Sequence, residues 1–436
     1  MDGSDGDSLR DACFYLLETR QIFALNQRAA QPVIAGGLFD YPGKSYLMPS
    51  RKLLRRSWLL VHRVVGLVVG LVMIVMGLSG SYLVAHRLIG SDGKSPAKMD
   101  LSAYVGQPYA DPEVMLEHLQ SAMGSNMSLW RLNWPNENEA AFIAAVAEEE
   151  SKRGEGKTIW GYVLHPYTGA VLGRRVLHTG MRNPHNTLST WIFHLHDKLQ
   201  IGKQGRAIVG ITGIALCLSI LSGIVLWWPK GSWKRAFRFV GKSRVRRWYD
   251  AHRLMGIVTA VFLLVPAITG LFFVYHDTTE RMVFALFGGS KERPHYAMEP
   301  VDPEMKPLPL IQLADIAQGA MPEAPLWTLE FPGGRVDAGQ PLSAYLKQEA
   351  EPAIGHASTR VWIDPYRGTI LGIHDPLKDP LGNRMLTWVF PLHTGEAFGT
   401  VGSVLAFIAG LAPLFLFISG VIIWGAKRKG RQAAAA

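Results

Sequence analysis

Cysteine is nearly absent from this sequence: Cys13 and Cys217 are the only two among 436 residues. Neither of the long polar stretches, near 90–190 and 277–395, contains a cysteine, so we expect both to fold without disulfide bonds. Two cysteines are also too few for the usual zinc or iron–sulfur sites built from thiolates.

Several nucleotide and metal motifs are missing as well. The sequence contains no G-x-G-x-x-G loop, no P-loop, no H-E-x-x-H and no C-x-x-C-H. These absences argue against an obvious nicotinamide, flavin or ATP site and against covalent haem attachment. The pattern of a cleavable signal peptide is absent too. We expect residues 1–50 to be a poorly ordered extension with a short helix at 9–25.

Charged side chains are absent from four long apolar stretches. Each stretch is long enough to cross a hydrocarbon core of ~30 Å as a helix. They comprise residues 64–84, 207–228, 254–275 and 397–424. The sequence therefore predicts an integral membrane protein that crosses the bilayer four times.

The net charge of +10 is concentrated beside these stretches. Basic residues cluster before the first stretch, after the fourth, and between 230 and 247, where eight Lys or Arg occur without an acid. Excess Lys and Arg in short loops marks the cytoplasmic face. We therefore predict that both termini are cytoplasmic (N-in/C-in), that the partner of the basic residues is membrane lipid rather than nucleic acid, and that the polar stretches lie outside.

A group of four residues occurs twice with the same spacing. It consists of a His-Arg pair, a glycine three residues later, and a second histidine beyond a closing Ser/Thr-Gly dipeptide. The copies lie 190 positions apart, with His62, Arg63, Gly66 and His86 in one and His252, Arg253, Gly256 and His276 in the other. Before the second and fourth spans, His196 and His393 recur with an offset of 197. These offsets indicate two tandem halves.

The two polar stretches follow one order. Each predicts a helix, near 111–123 and 309–318, and each ends in a strand–turn–strand pattern with Pro and Gly, at 162–173 and 361–372. Further strand-like residues are 128–134, 140–146 and 327–331. We predict an α-helical membrane protein, with a four-helix transmembrane bundle built from two tandem halves. Each half carries a small α+β domain inserted between its two spans.

The repeated histidines suggest metal ligands, because coordinating residues at membrane depth are usually functional. Two neutral imidazoles satisfy a low-spin haem iron. We predict one haem on the cytoplasmic side between His62 and His252. The other four histidines could hold one or two more on the outer side. The alternative is that the six histidines cap helices or contact lipid headgroups.

Four neighbours of these histidines are further candidates for cofactor binding. Gly66 and Gly256 lie one turn from a histidine and would leave room for a flat macrocycle against the helix. Arg63 and Arg253 would neutralise a haem propionate, or would simply follow the positive-inside rule.

Taken together, these motifs resemble the family of PepSY-associated transmembrane helix proteins. The resemblance covers about 50–428 and rests on H-R-x-x-G, the Ser/Thr-Gly dipeptides, the outer D/H-P-Y-x-G hairpins and the closing S-G-[IV]-[VI]-x-W. The family includes iron-regulated inner-membrane proteins of bacteria, among them ferric-siderophore reductases. It implies b-type haem in a four-helix membrane domain with PepSY-like modules in the periplasm. The ligands it implies are His62, His86, His196, His252, His276 and His393.

The expected domain boundaries combine the apolar stretches and repeats with this resemblance. We expect an extension (1–50), the first span (51–89), a periplasmic PepSY-like domain (90–187), an interfacial segment with the second span (188–229), a basic cytoplasmic loop (230–247), the third span (248–277), a second PepSY-like domain (278–383), an interfacial segment with the fourth span (384–426), and a cytoplasmic tail (427–436). The expected activity is that of an oxidoreductase. It would take electrons from a quinol or a separate cytosolic reductase and reduce a ferric siderophore or another periplasmic acceptor.

Two other functions remain compatible with the sequence. PepSY modules are also associated with peptidase inhibition or regulation, so the outer domains could be a binding or sensing module that the membrane helices anchor. A transporter is the third hypothesis, because parallel repeats occur in transporters as well. Bound haem would separate the first reading from these two.

Overall fold

The computed structural model describes residues 51–89, 101–104, 106–125, 127–135, 141–148, 158–180, 187–229, 231–291, 296–302, 304–332 and 339–435. The expected N-terminal extension and its helix at 9–25 lie outside these residues. The helices are α1 (Arg51–Ile89), α2 (Pro112–Ala122), α3 (Leu188–Lys198), α4 (Gly202–Trp227), α5 (Trp233–Ala236), α6 (Arg244–Val274), α7 (His276–Phe287), α8 (Leu310–Ala320), α9 (Leu381–Thr387), α10 (Val389–Thr394) and α11 (Gly399–Ala433).

Four of these helices, α1, α4, α6 and α11, are long and apolar enough to cross a membrane. They cover the four predicted apolar stretches to within two residues, and α1, α6 and α11 continue into the basic flanks. Both α1 and α6 pack on α4 and on α11, so α1 and α6 occupy opposite corners of a four-helix bundle. The backbones of α1 and α11 approach closely where Gly77 meets Gly410. A Cβ on Gly77 would collide with the carbonyl oxygen of Gly410, and a Cβ on Gly410 would collide with Ser81 Oγ and the carbonyl oxygen of Gly77.

The strands form one antiparallel sheet in the order β4-β3-β2-β1-β5-β6-β7-β8. They are β1 (Met127–Asn133), β2 (Phe142–Glu148), β3 (Thr158–Leu164), β4 (Val171–His178), β5 (Leu326–Glu330), β6 (Leu342–Leu346), β7 (Thr359–Ile363) and β8 (Ile370–His374). The sequence predicted seven of these strands within a few residues, but it did not predict β6. It did not predict that β1 and β5 pair, which joins the two expected small sheets into one of eight strands.

The sheet buries one face under the two helices that the sequence placed before the strands. Met115 and Leu119 of α2 and Leu313 of α8 are almost completely buried against this face. They contact alternate strand residues such as Leu132 and Leu329, as expected for strands with one apolar face. The core is therefore shared by both polar stretches of the chain.

A sharp turn precedes each of the two long helices that follow the sheet strands. Between α3 and α4, Leu199 and Gln200 adopt left-handed backbone angles, with φ of 50° and 61°. Gly205 and Gly402 sit in the first turns of α4 and α11, where a Cβ would strike a carbonyl oxygen of the preceding turn. These turns fold the short helices α3 and α10 back against the bundle, which matters because each carries a predicted ligand.

Candidate functional site

Four of the six predicted histidines meet as two pairs. His62 of α1 faces His252 of α6, with ring centres 6.2 Å apart and ring planes at 86°. His196 of α3 faces His393 of α10, with ring centres 6.1 Å apart and ring planes at 66°. We call these the first and second histidine pairs. Each pair takes one histidine from each predicted half of the chain.

Every paired histidine contacts the hydroxyl of a Ser or Thr on another helix through its Nδ1 atom. In the first pair, His62 Nδ1 lies 3.0 Å from Ser222 Oγ, and His252 Nδ1 lies 2.7 Å from Ser419 Oγ. His62 Nδ1 also lies 3.0 Å from the carbonyl oxygen of Ser219. The first pair therefore has three acceptors for two ring N–H groups.

The second pair repeats the arrangement. His196 Nδ1 lies 3.0 Å from Ser79 Oγ, and His393 Nδ1 lies 3.0 Å from Thr269 Oγ1. The ring of Phe273 packs edge-on against His393, with centres 5.3 Å apart. Burial and the neighbouring His196 lower the pKa of His393 to about 4, and burial lowers the pKa of His196, so both rings are neutral near pH 7.

The hydroxyl groups fix which ring nitrogen carries the proton. Each hydroxyl donates its hydrogen to a backbone carbonyl in its own helix, at 2.6 Å from Ser79, 2.8 Å from Ser222, 2.8 Å from Thr269 and 2.8 Å from Ser419. A hydroxyl has one hydrogen, so towards the histidine it can only accept. We infer from this network that Nδ1 carries the proton in all four rings. The Nε2 lone pair is then free to bind a metal.

A glycine follows each of these hydroxyl residues and makes space for the ring. A Cβ on Gly80 would lie 3.1 Å from His196 Cε1, and one on Gly223 would lie 3.2 Å from His62 Cε1. The corresponding distances are 3.4 Å from Gly270 to His393 and 3.6 Å from Gly420 to His252. The Ser/Thr-Gly dipeptide thus supplies an acceptor and a gap together. Sequence reasoning saw these dipeptides as repeated elements but did not connect them with the histidines.

The spacing within each pair fits one metal ion between two imidazoles. A metal–imidazole bond is about 2.0 Å, so two rings on opposite sides of one ion have centres roughly 6 Å apart. A Cβ on Gly66 would meet nothing within 4 Å, and one on Gly256 only Leu416 Cδ2 at 3.8 Å, so there is room one turn from His62 and His252. This donor set, two imidazoles in each pair with room beside the first, would suit haem iron.

His86 and His276 do not join either pair. His86 Nε2 lies 2.9 Å from Ser189 Oγ, and its ring stacks on Tyr82 with centres 5.8 Å apart. The side chain of His276 is 64% exposed, at the start of α7. Its neighbours Asp277 and Glu280 come close enough to hold a cation with it, but Lys291 already pairs with both acids.

The two arginines next to the first pair have different surroundings. Arg63 is half-buried on α1. Arg253 Nη2 donates to the carbonyl oxygen of Arg238 at 2.7 Å and lies 3.5 Å from Asp250 Oδ1. Asp250 is fully buried and also accepts from Arg246 Nε at 3.0 Å. Sequence reasoning missed Asp250, although it is the one acid beside an otherwise basic loop.

The four long apolar helices define a multi-pass membrane protein, with the two histidine pairs in or beside a four-helix bundle. The sequence model of the PepSY-associated TM region matches residues 59–427, and the chain therefore belongs to this family. A search of the curated proteins found no match.

Proposed function

We propose that this protein binds two b-type haems, one at each histidine pair, and moves electrons across the membrane. One observation carries the proposal: in both histidine pairs, the Nδ1–H of each ring donates to a Ser or Thr hydroxyl oxygen that has no hydrogen left to give to the ring. This leaves the Nε2 atom of each ring free, with the partner ring at the distance that a shared iron requires. From the six ligands that the family resemblance implies, we therefore propose His62, His252, His196 and His393.

The residues of this chain would orient the ligands. A ring N–H held by an acceptor sets the orientation of the imidazole and makes the opposite nitrogen a better donor. Haem iron held by two imidazoles supplies one-electron exchange between Fe(III) and Fe(II) when bound. The bundle would keep water from the rings.

The two histidine pairs lie at different depths. His62 and Ser79 are 17 residues apart on α1, and His252 and Thr269 are 17 residues apart on α6. This spacing corresponds to ~25 Å along a helix. Two sites at these depths would serve the two sides of the membrane.

The arrangement in two tandem halves is part of the proposal. Three features support it. The repeated residues are offset by 190 and 197 positions, and equivalent histidines pair with each other. In the sheet, β1 to β4 follow one another on one side of the β1–β5 contact, and β5 to β8 do so on the other side. Because each half crosses the membrane twice, the halves would be related by an axis along the membrane normal. The domain boundaries given above, at 90–187 and 278–383 for the outer domains, remain predictions.

The orientation that we propose follows from charge. The basic residues lie at the end of the bundle that carries the first pair, which would be cytoplasmic by the positive-inside rule. Both termini would be inside. The sheet would be periplasmic, next to the second pair, in the inner membrane of a bacterium.

The acceptor that we propose is a ferric siderophore, with a quinol or a separate cytosolic reductase as the donor. Hard oxygen ligands hold Fe(III) more tightly than Fe(II), so one electron weakens the chelate and releases the metal. Family membership supports this choice, and the position of the sheet beside the second pair agrees with a periplasmic acceptor.

A reduced-minus-oxidised absorbance spectrum of the detergent-purified protein tests the proposal. We expect b-type bands from two components. His62→Ala should remove one component and His393→Ala the other, whereas His276→Ala, at an exposed histidine outside the pairs, should keep both. Colourless protein from haem-replete cells would contradict the proposal and favour a binding or regulatory role for the sheet.

A further inference from the structure

A buried carboxylate, Glu396, lies three residues beyond His393 in the turn between α10 and α11. Its side chain is about 5% exposed, and it accepts from three segments of the chain. Arg87 Nη2, in the last turn of α1, donates to Oε2 at 3.0 Å, and Arg87 Nη1 is also ion-paired with it. Thr394 Oγ1 donates to Oε1 at 2.9 Å, and the backbone N–H of Ile354 donates to Oε2 at 3.3 Å.

Ile354, whose N–H donates to Glu396, belongs to a firmly held loop of the sheet, residues 347–358 between β6 and β7. Glu351, buried in the same loop, accepts from Ser358 N at 2.7 Å and from Thr359 N at 3.0 Å. Lys347 Nζ donates to the carbonyl oxygens of Glu351, at 3.4 Å, and of Ala353. Because the loop is fixed from within, its contact with Glu396 ties the sheet to the end of the bundle.

Neighbouring rings extend the contact to the second pair. Arg87 lies over the ring of Phe390, 5.3 Å from its centre, and His356 of the sheet loop packs against the same ring at 5.9 Å. Phe390 in turn contacts Phe273 at 6.3 Å, and Phe273 contacts His393. Phe390 and His393 are both on α10, so Glu396 holds the short helix that carries His393.

The first half of the chain has a different residue at this point. The position 197 residues before Glu396 is Leu199, which has no carboxylate and adopts a left-handed backbone angle instead. The two histidines of the second pair are therefore supported unequally. His393 is tied through Glu396 to α1 and to the sheet, whereas α3, which carries His196, contacts α1 through Ser189 and His86 and ends in the left-handed turn.

We propose that Glu396 is the positioning residue for His393, joining α10 to α1 and to the sheet so that a movement of the sheet loop reaches the second histidine pair. The consequence for a bound haem rests on the function proposed above. We call the contacts of Glu396 with α1, α10 and the sheet loop the joint. The joint does not depend on the proposed function, because it consists of contacts among residues of this chain.

Hydrogen exchange of the purified protein, read by mass spectrometry, tests the joint directly. Glu396→Ala should raise exchange in 351–357 and 389–394 together, by roughly tenfold. Glu396→Gln keeps one acceptor oxygen, for either Ile354 N–H or Thr394 Oγ1, and loses the charge, so it should give a smaller rise than Glu396→Ala. Arg87→Gln also removes the ion pair, so it should raise exchange in the two peptides about as much as Glu396→Gln does. Glu280→Gln is the matched control: Glu280 is a mostly buried, ion-paired acid on α7, and its loss should leave both peptides unchanged.

The spectrum of bound haem provides the second reading. Glu396→Ala should shift or weaken the component that His393→Ala removes, and leave the component that depends on His62. Unchanged exchange in both peptides, or a rise in only one of them, would overturn the proposal. If Glu396→Ala does not fold, Glu396→Gln and Arg87→Gln decide by the same criterion. Colourless protein would contradict the haem function only, since the exchange of the two peptides is measured without haem.

Discussion

Thr269 tests the role of the hydroxyl groups at the scale of one residue. Thr269→Val keeps the shape of the side chain and removes the hydroxyl that accepts from His393 Nδ1–H. We expect haem affinity at the second pair to fall about 10- to 100-fold, the usual effect of losing the partner of a metal-binding histidine. Titration of haem into haem-depleted protein measures the change. Thr269→Ser, which restores the acceptor, should recover most of the affinity.

Thr259 is the control for this substitution. It lies on the same helix, is as buried as Thr269, and donates to a carbonyl oxygen of its own helix, that of Met255, at 2.8 Å. Thr259→Val should therefore leave haem binding unchanged. If both valine variants lose haem equally, the hydroxyl of Thr269 has no specific role. Ser222→Ala should act in the same direction at the first pair, where Ser222 Oγ lies 3.0 Å from His62 Nδ1.

The glycines of the Ser/Thr-Gly dipeptides give a steric test. In Gly80→Ala, the new Cβ would lie 3.1 Å from His196 Cε1, so the ring must move by a few tenths of an ångström. In Gly420→Ala, the Cβ would lie 3.6 Å from His252 Cε1, an ordinary contact. We expect Gly80→Ala to lower the haem content at the second pair and Gly420→Ala to bind normally at the first. Equal haem content in both variants would show that the gap is not needed.

The candidate histidines were identifiable from sequence, but their partners were not. The pattern of two offsets singles out His62, His252, His196 and His393, yet it gives His86 and His276 the same standing. The hydroxyl that holds each ring lies far away in the chain, 117 residues from His196 and 167 from His252. Such contacts depend on how the helices pack, and no local pattern encodes that packing.

At the scale of elements, helices and strands were predictable where apolar periodicity defines them. The apolar stretches, α2, α8 and seven of the eight described strands lie close to their predicted places, whereas β6 was not predicted. The helix α7 after the third span was missed, because it continues α6 after a single residue and is not a separate apolar run. The pairing of β1 with β5 was missed as well, because two edge strands can pair without any sequence signal for it.

β1 and β5 pair along one edge each, which we call the seam. The contribution of side chains to the stability of the seam can be tested by reversing a charge. Arg131 Nε donates to Glu330 Oε2 at 2.8 Å across the seam. Arg131→Glu would place two acids opposite each other, and we expect it to destabilise the sheet by about 1 kcal/mol, since both side chains are partly exposed. Thermal unfolding in detergent measures the change. The double variant Arg131→Glu/Glu330→Arg should recover part of the loss, limited by the proximity of Arg360 at 3.7 Å from Glu330. No loss in the single variant would mean that backbone pairing alone holds the seam.

At the scale of the whole molecule, charge and chain order together define two ends. The segments that hold the sheet leave and re-enter the bundle at the end that carries the second pair. The basic loop that contains α5 lies at the end that carries the first pair. An electron path between the two sides needs these ends to face different compartments, so the orientation is a condition of the proposed function.

Cysteine accessibility tests this orientation in intact membranes. Starting from a variant with Cys13→Ser and Cys217→Ser, single cysteines at Lys378 and Lys234 report on the two ends. Lys378 is in the sheet region with its side chain 83% exposed, and Lys234 is exposed in α5. Because Lys and Arg beside spans remain inside, a membrane-impermeant maleimide should label Lys378→Cys in spheroplasts and Lys234→Cys only after lysis. Labelling of Lys234→Cys alone before lysis would invert the molecule and place the first histidine pair outside. Labelling of both before lysis would exclude the four-span arrangement on which two sites at two depths depend.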